Sequence, residues 1–140
     1  MHVQIEQWEL KLDVEKTKAY YANAPYKNED LFALNYIEVC SFCDPQLLAF
    51  FQQLEIDMLK PSSLHYLSVE GDCIMYSGSY YVAGEKIQGE LDEWDVVVEH
   101  FCFSLTEDNY DTPEQLIGLA IEISFEVVLP WMLFEPMPAV

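Results

Sequence analysis

Between Leu119 and Leu129 the chain alternates without a break, with Leu119, Ile121, Ile123, Phe125, Val127 and Leu129 separated by Ala120, Glu122, Ser124, Glu126 and Val128. Successive side chains of an extended chain point to opposite faces, so this pattern reads as a strand with one buried face and a solvent face carrying two carboxylates. The strand should end at Pro130. Just upstream, Thr112-Pro113-Glu114-Gln115 is a helix N-terminus signature, with Thr112 as the cap and Gln115 able to reach back to it. One helical turn is therefore expected before the strand.

The same reasoning assigns most of the remaining chain. Trp8, Leu10 and Leu12 alternate with polar residues, which places a first strand at Ile5 to Asp13, and Val14 to Ala22 reads as a short helix broken by Asn23-Ala24-Pro25. Residues 25–35 carry no clear pattern. At Asp44-Pro45 a carboxylate can cap free amides while proline occupies the first helical position, where its missing N–H costs nothing. Leu47, Leu48, Phe50, Phe51 and Leu54 then form an apolar stripe, and the helix should run to about Glu55 as a core element. Leu64 to Val69 and Cys73 to Ala83 read as a tyrosine-rich hairpin around Glu70-Gly71-Asp72, and Asp95 to Leu105 as one further strand. The architecture implied is a single α+β domain over residues 1–140, with an antiparallel sheet of about five strands and one or two helices packed on one face.

Charge is the strongest functional clue. Six lysines and no arginine stand against 25 acids, a formal net charge of -19, and no lysine follows Lys86. Residues 87–140 hold twelve acids and no cation. Acidity with few aromatics would suggest disorder, but an aromatic content of 14% supplies the material for a core. A chain of this length buries roughly two-thirds of its unfolded surface. Fixed negative potential repels phosphate backbones and anionic headgroups, so direct nucleic-acid or membrane-surface binding is not expected. The N-terminus lacks the continuous apolar segment of a signal peptide, and Val127 to Phe134 is too short to span a bilayer. Four cysteines without an export signal read as reduced thiols of a cytoplasmic protein.

Several segments together resemble a group of small, uncharacterised bacterial proteins. They are Tyr20-Tyr21, the run Leu47-Leu48-Ala49-Phe50-Phe51 leading to Ile56-Asp57 and Lys60-Pro61, the stretch Tyr76 to Glu85, and the ending Leu129-Pro130-Trp131-Met132-Leu133-Phe134-Glu135. The resemblance implies a fold and no activity. Members of that group carry a Cys-x-Cys-x-x-Cys-x-Asn-aromatic motif that looks like a metal or redox element. Registered on Asn35-Tyr36, it places Asn28, Asp30 and Ala33 where its cysteines would stand, so that element is lost here.

Cys40-Ser41-Phe42-Cys43 is the one recognisable short motif. It follows an apolar run and precedes the Asp44-Pro45 helix, which is the strand, CxxC, helix order in which a helix dipole lowers a thiol pKa. Asp44 opposes that, because an adjacent carboxylate disfavours thiolate. A zinc site on Cys40 and Cys43 would need two more ligands, and Cys73, Cys102, His65 and His100 are scattered singly. Asp92 to Asp95 and Glu107 to Asp111 lack the residue order of a calcium loop. Nucleophile elbows, phosphate-cradling glycine loops and zincin helices are missing, so no enzyme activity and no cofactor are expected.

Two functional readings follow. The first is an acidic protein-binding module, of the immunity or nucleic-acid-mimic type, that captures a basic protein. Its surface would comprise Glu90, Asp92, Glu93, Asp95, Glu107, Asp108 and Asp111, with Trp94 and Tyr110 as aromatic anchors. The second is a metal- or thiol-dependent protein centred on Cys40 and Cys43. A purely solubilising role for the charge is the plain alternative to both. Trp131, Met132 and Phe134 can pack on the core or on a second copy, which leaves a homo-oligomer open.

Overall fold

The computed structural model describes residues 1–91, 93–107, 112–116, 118 and 120–138. In chain order the elements are β1 (His2–Ile5), β2 (Trp8–Leu12), α1 (Val14–Asn23), α2 (Leu31–Cys40), α3 (Pro45–Gln53), β3 (Ser63–Glu70), β4 (Cys73–Gln88), β5 (Val96–Val98), β6 (Phe101–Glu107) and β7 (Ala120–Pro130). A single 3-10 turn at Glu114–Leu116 precedes β7, as the Thr112-Pro113 signature predicts.

The fold is α+β, but the described residues form seven strands and three helices, which corrects the expected five strands and one or two helices. The expected first strand, Ile5 to Asp13, is β2, and an unexpected strand β1 pairs with it through a turn at Glu6, whose φ is 51°, while Glu99, at 54°, divides the stretch from Asp95 to Leu105 into the hairpin β5 and β6. Glutamate is uncommon in the left-handed region, so neither turn carried a glycine or asparagine signal. The additional helix is α2. Its apolar residues run almost continuously from Leu31 to Cys40, so no stripe distinguishes it, yet Phe32, Ala33, Asn35, Tyr36 and Cys40 are all buried.

The sheet order is β1-β2-β4-β7-β6-β5, with β3 pairing beside the first half of β4, and every pairing is antiparallel. Register carries the alternation of β7 into the core: Ile121, Ile123, Phe125, Val127 and Leu129 face Val82, Tyr80, Gly78, Tyr76 and Ile74 across the ladder. Gly78 is required there, because a Cβ would run into the Ser63 carbonyl and lie 2.9 Å from the Phe125 ring. Helices α2 and α3 cover this face with aromatic side chains. Tyr36 stacks on Phe125 at 5.5 Å between centroids, Phe50 on Phe103 at 4.3 Å, and Phe51 meets Tyr80 edge-on at 5.0 Å. Such pairs each add about 0.5–1.5 kcal/mol beyond the area they bury.

Helix α1 has a different task. In β4 alternate backbone groups point to the same edge, and β3 satisfies that edge only as far as Ser79, whose carbonyl accepts from Ser62 N at 2.8 Å. Strand β2 resumes the pairing at Gly84. Between them α1 supplies hydroxyls. Tyr81 N donates to the Tyr21 hydroxyl at 3.2 Å, that hydroxyl donates to Tyr81 O at 2.7 Å, and Ala83 N donates to Thr17 Oγ1 at 3.0 Å. Asp13 N completes the series on Ala83 O at 2.9 Å. The side-chain carboxylate of Asp13 caps α1 by accepting from Lys16 N.

Buried Asn35 ties the C-terminal segment down. Its amide donates to Pro130 O at 3.0 Å and to the Tyr76 hydroxyl at 3.2 Å, while its Oδ1 accepts from Met132 N at 2.7 Å. Trp131 packs edge-on against Phe32, whereas Met132 and Phe134 stay exposed.

Candidate functional site

The six lysines are spread over β2, α1, the loop after α1, the segment before β3 and the end of β4. Lys11 lies on β2 opposite Glu85, Lys86 on β4 opposite Leu10, and Lys16 and Lys18 on α1. Lys60 donates to Tyr21 O, one of the last carbonyls of α1, at 2.8 Å and lies 5.0 Å from the centre of the Tyr26 ring. Lys27 makes a loose 4.0 Å contact with Glu29, the one ion pair among the described residues. Every described carboxylate is exposed or half-buried. Beyond Lys86 the chain adds only negative charge, and surface charge of one sign steers association at long range.

The segment that follows β4 directly is anchored at two points. Gly89, with a φ of 130°, sits so close to Trp8 that a Cβ would come within 3.1 Å of the indole, and Leu91 packs on the core. Held this way, the segment leaves Glu90, Glu93, Trp94 and Asp95 exposed, Trp94 to 45%. Glu107 is also exposed, at the end of β6. Because Val96 pairs with Phe103 in an antiparallel ladder, the start of β5 and the end of β6 issue from the same end of the sheet. Asp95 and Glu107 thus leave the β5–β6 ladder in the same direction. Asp92, Asp108, Tyr110 and Asp111 lie outside the described residues.

The cysteine motif is placed differently from expectation. Cys40 ends a helix rather than following a strand, which corrects the thioredoxin-like order. Burial pushes the Cys40 thiol up to about 12, against which the Tyr36 hydroxyl lowers it and nearby Cys43 raises it further. The Cys43 thiol is raised by burial and, to a smaller extent, by the Asp44 carboxylate, and its sulfur lies 3.6 Å from the thioether of Met58. Asp44 makes no side-chain hydrogen bond to α3, so the cap expected of it is not formed. All four cysteines are free, and no group of three or more His, Cys, Asp or Glu among the described residues could hold a metal.

Asp30, Asn35 and Tyr36 have structural roles. Asp30 caps α2 by accepting from Ala33 N at 2.8 Å, and Asn35 and Tyr36 are buried. Sequence reasoning missed the Asn35 clamp, because its partners Tyr76, Pro130 and Met132 are distant in the chain. It also missed a cavity between the ends of α2 and β7 and the β5–β6 turn, because its walls come from four separate segments. No helix among the described residues is long and apolar enough to cross a membrane. Comparison with protein-family models, curated proteins and solved structures gave no match.

Proposed function

We propose that this protein is a binding module that captures a basic protein on its acidic surface, in the manner of an immunity protein or nucleic-acid mimic. The observation that carries the reading is the segregation of charge. Along the chain no lysine follows Lys86, whereas residues 87–140 hold twelve acids, of which Glu90, Glu93, Asp95 and Glu107 stand exposed, with the exposed ring of Trp94 between Glu93 and Asp95. Carboxylates there would stand in for phosphates, and the indole would supply an anchor at low entropic cost. The thiol alternative draws no support from Cys40, whose buried sulfur stays protonated at neutral pH.

Stopped-flow association with a panel of small basic nucleases tests the proposal. Between roughly 0.02 and 0.2 M salt the rate should fall about tenfold or more, because steering is screened within a Debye length. Replacing Glu90, Glu93 and Glu107 by Gln and Asp95 by Asn should slow association at low salt while leaving thermal stability unchanged. A nuclease that binds at a rate indifferent to salt and to these substitutions would sink the proposal, as would a panel with no binder.

A further inference from the structure

The notch where α2 ends, α3 begins, β5 turns into β6 and β7 ends is a cavity of about 170 Å³. Val39, Leu47, Phe101 and Leu129 give it apolar walls, and Phe42 and Val128, at its lining, are left 70% and 54% exposed. On a molecule coated with carboxylates this is an apolar patch with a definite shape. An apolar cavity of about 150 Å³ holds one benzene ring. The polar groups lining it are mostly acidic: Asp44 and Glu99 are exposed carboxylates, His100 is the one ring nitrogen base, and no lysine reaches it. The Asp44 side chain lines the cavity and makes no hydrogen bond to the amides of α3.

We propose that this cavity binds a small arylalkylammonium ion, one aromatic ring carrying a primary ammonium on a short aliphatic arm. The ring fills the apolar walls and meets the exposed face of Phe42. The ammonium sits at the rim between Asp44 and Glu99, where the overall charge of -19 also favours a cation and opposes a carboxylate. This site is separate from the acidic binding surface and stands or falls without it.

The test is titration of the ¹⁵N-labelled full chain with 2-phenylethylamine at about 0.15 M salt, where exposed charges are largely screened. Phenylacetate and ethylamine serve as controls. Saturable shifts are expected at the amides of residues 39–44, 99–101 and 128–129, with each control about tenfold weaker. Combining Asp44→Asn with Glu99→Gln should weaken the amine about fivefold without lowering the melting temperature, since both side chains are exposed. Saturating amine should slow maleimide modification of Cys43, which lines the cavity, and leave exposed Cys73 unaffected. Equal binding of phenylacetate, shifts scattered over the acidic surface, unchanged affinity in the double variant or the absence of saturation would each overturn the proposal.

Discussion

Replacing Thr17 with valine removes one hydroxyl from the middle of the β4 edge and changes little else. Thr17 is fully buried, and its Oγ1 accepts from Ala83 N at 3.0 Å while donating to Asp13 O at 2.9 Å. Asp13 O keeps its bond from Thr17 N at 3.1 Å, so the loss falls on the Ala83 amide, which cannot reach water. Threonine and valine have similar shapes and helix propensities, so the cost is mainly that of a buried donor left without its partner, about 1–3 kcal/mol. For a chain of this size each kcal/mol moves the melting temperature by about 2–4 °C, and a fall of about 6 °C is expected. Urea unfolding followed by tryptophan fluorescence measures the free energy, and amide exchange at Ala83 locates it. Thr17→Ser is the control: it keeps the hydroxyl, loses a methyl worth about 0.8 kcal/mol, and should preserve protection at Ala83. The reasoning is refuted if Thr17→Val unfolds within about 0.5 kcal/mol of the parent, a change ordinary for a surface site. Thr17→Ser exposing the Ala83 amide as much as Thr17→Val does would refute it equally.

Two further outcomes follow from buried groups. Asn35→Leu severs three hydrogen bonds that hold Pro130, Met132 and Tyr76, and should cost about 3 kcal/mol and red-shift the tryptophan emission as Trp131 loosens from Phe32; an unchanged spectrum and midpoint would contradict the clamp. The Cys40 thiol is held up to about 12, and Tyr21, Tyr36 and Tyr80 are raised well above 10.0, all chiefly by burial. Each is neutral when protonated, so the stability these groups carry is intact below the unfolded-state values and is lost as pH climbs from about 9 toward and past 12. Stability that stayed level from pH 8 to 11.5 would contradict the buried placement.

The sequence was most legible where one face of an element is wet. The alternation of β7, the stripe of α3 and the turn at Gly71 were readable because water imposes a period on residues that face it. Helix α2 lacked that contrast, since tertiary burial on several sides replaced the stripe with a nearly continuous apolar run. The turns at Glu6 and Glu99 were hidden for another reason: hairpin pairing holds a glutamate in a conformation that local preference disfavours. Of the candidate site, the exposure of Glu90, Glu93, Trp94, Asp95 and Glu107 agrees with their acidic, turn-rich context. That Asp95 and Glu107 leave the ladder in the same direction depended on the β5–β6 pairing, a hairpin the sequence did not announce.

Strand β4 has an implication for how the chain folds. Beside β3, joined to it by a tight turn, its neighbours are β2, whose paired residues lie about seventy positions earlier, and β7, whose paired residues lie about forty to sixty positions later. Closing those loops costs entropy before any ladder bond compensates, so formation of the sheet should be slow for a protein of this length, in the millisecond to second range. During synthesis β4 emerges well before β7, and Ile74, Tyr76, Tyr80 and Val82 must wait beside an open ladder. The coat of like charge is then an asset to the unfinished chain, keeping nascent copies apart until the last long strand arrives.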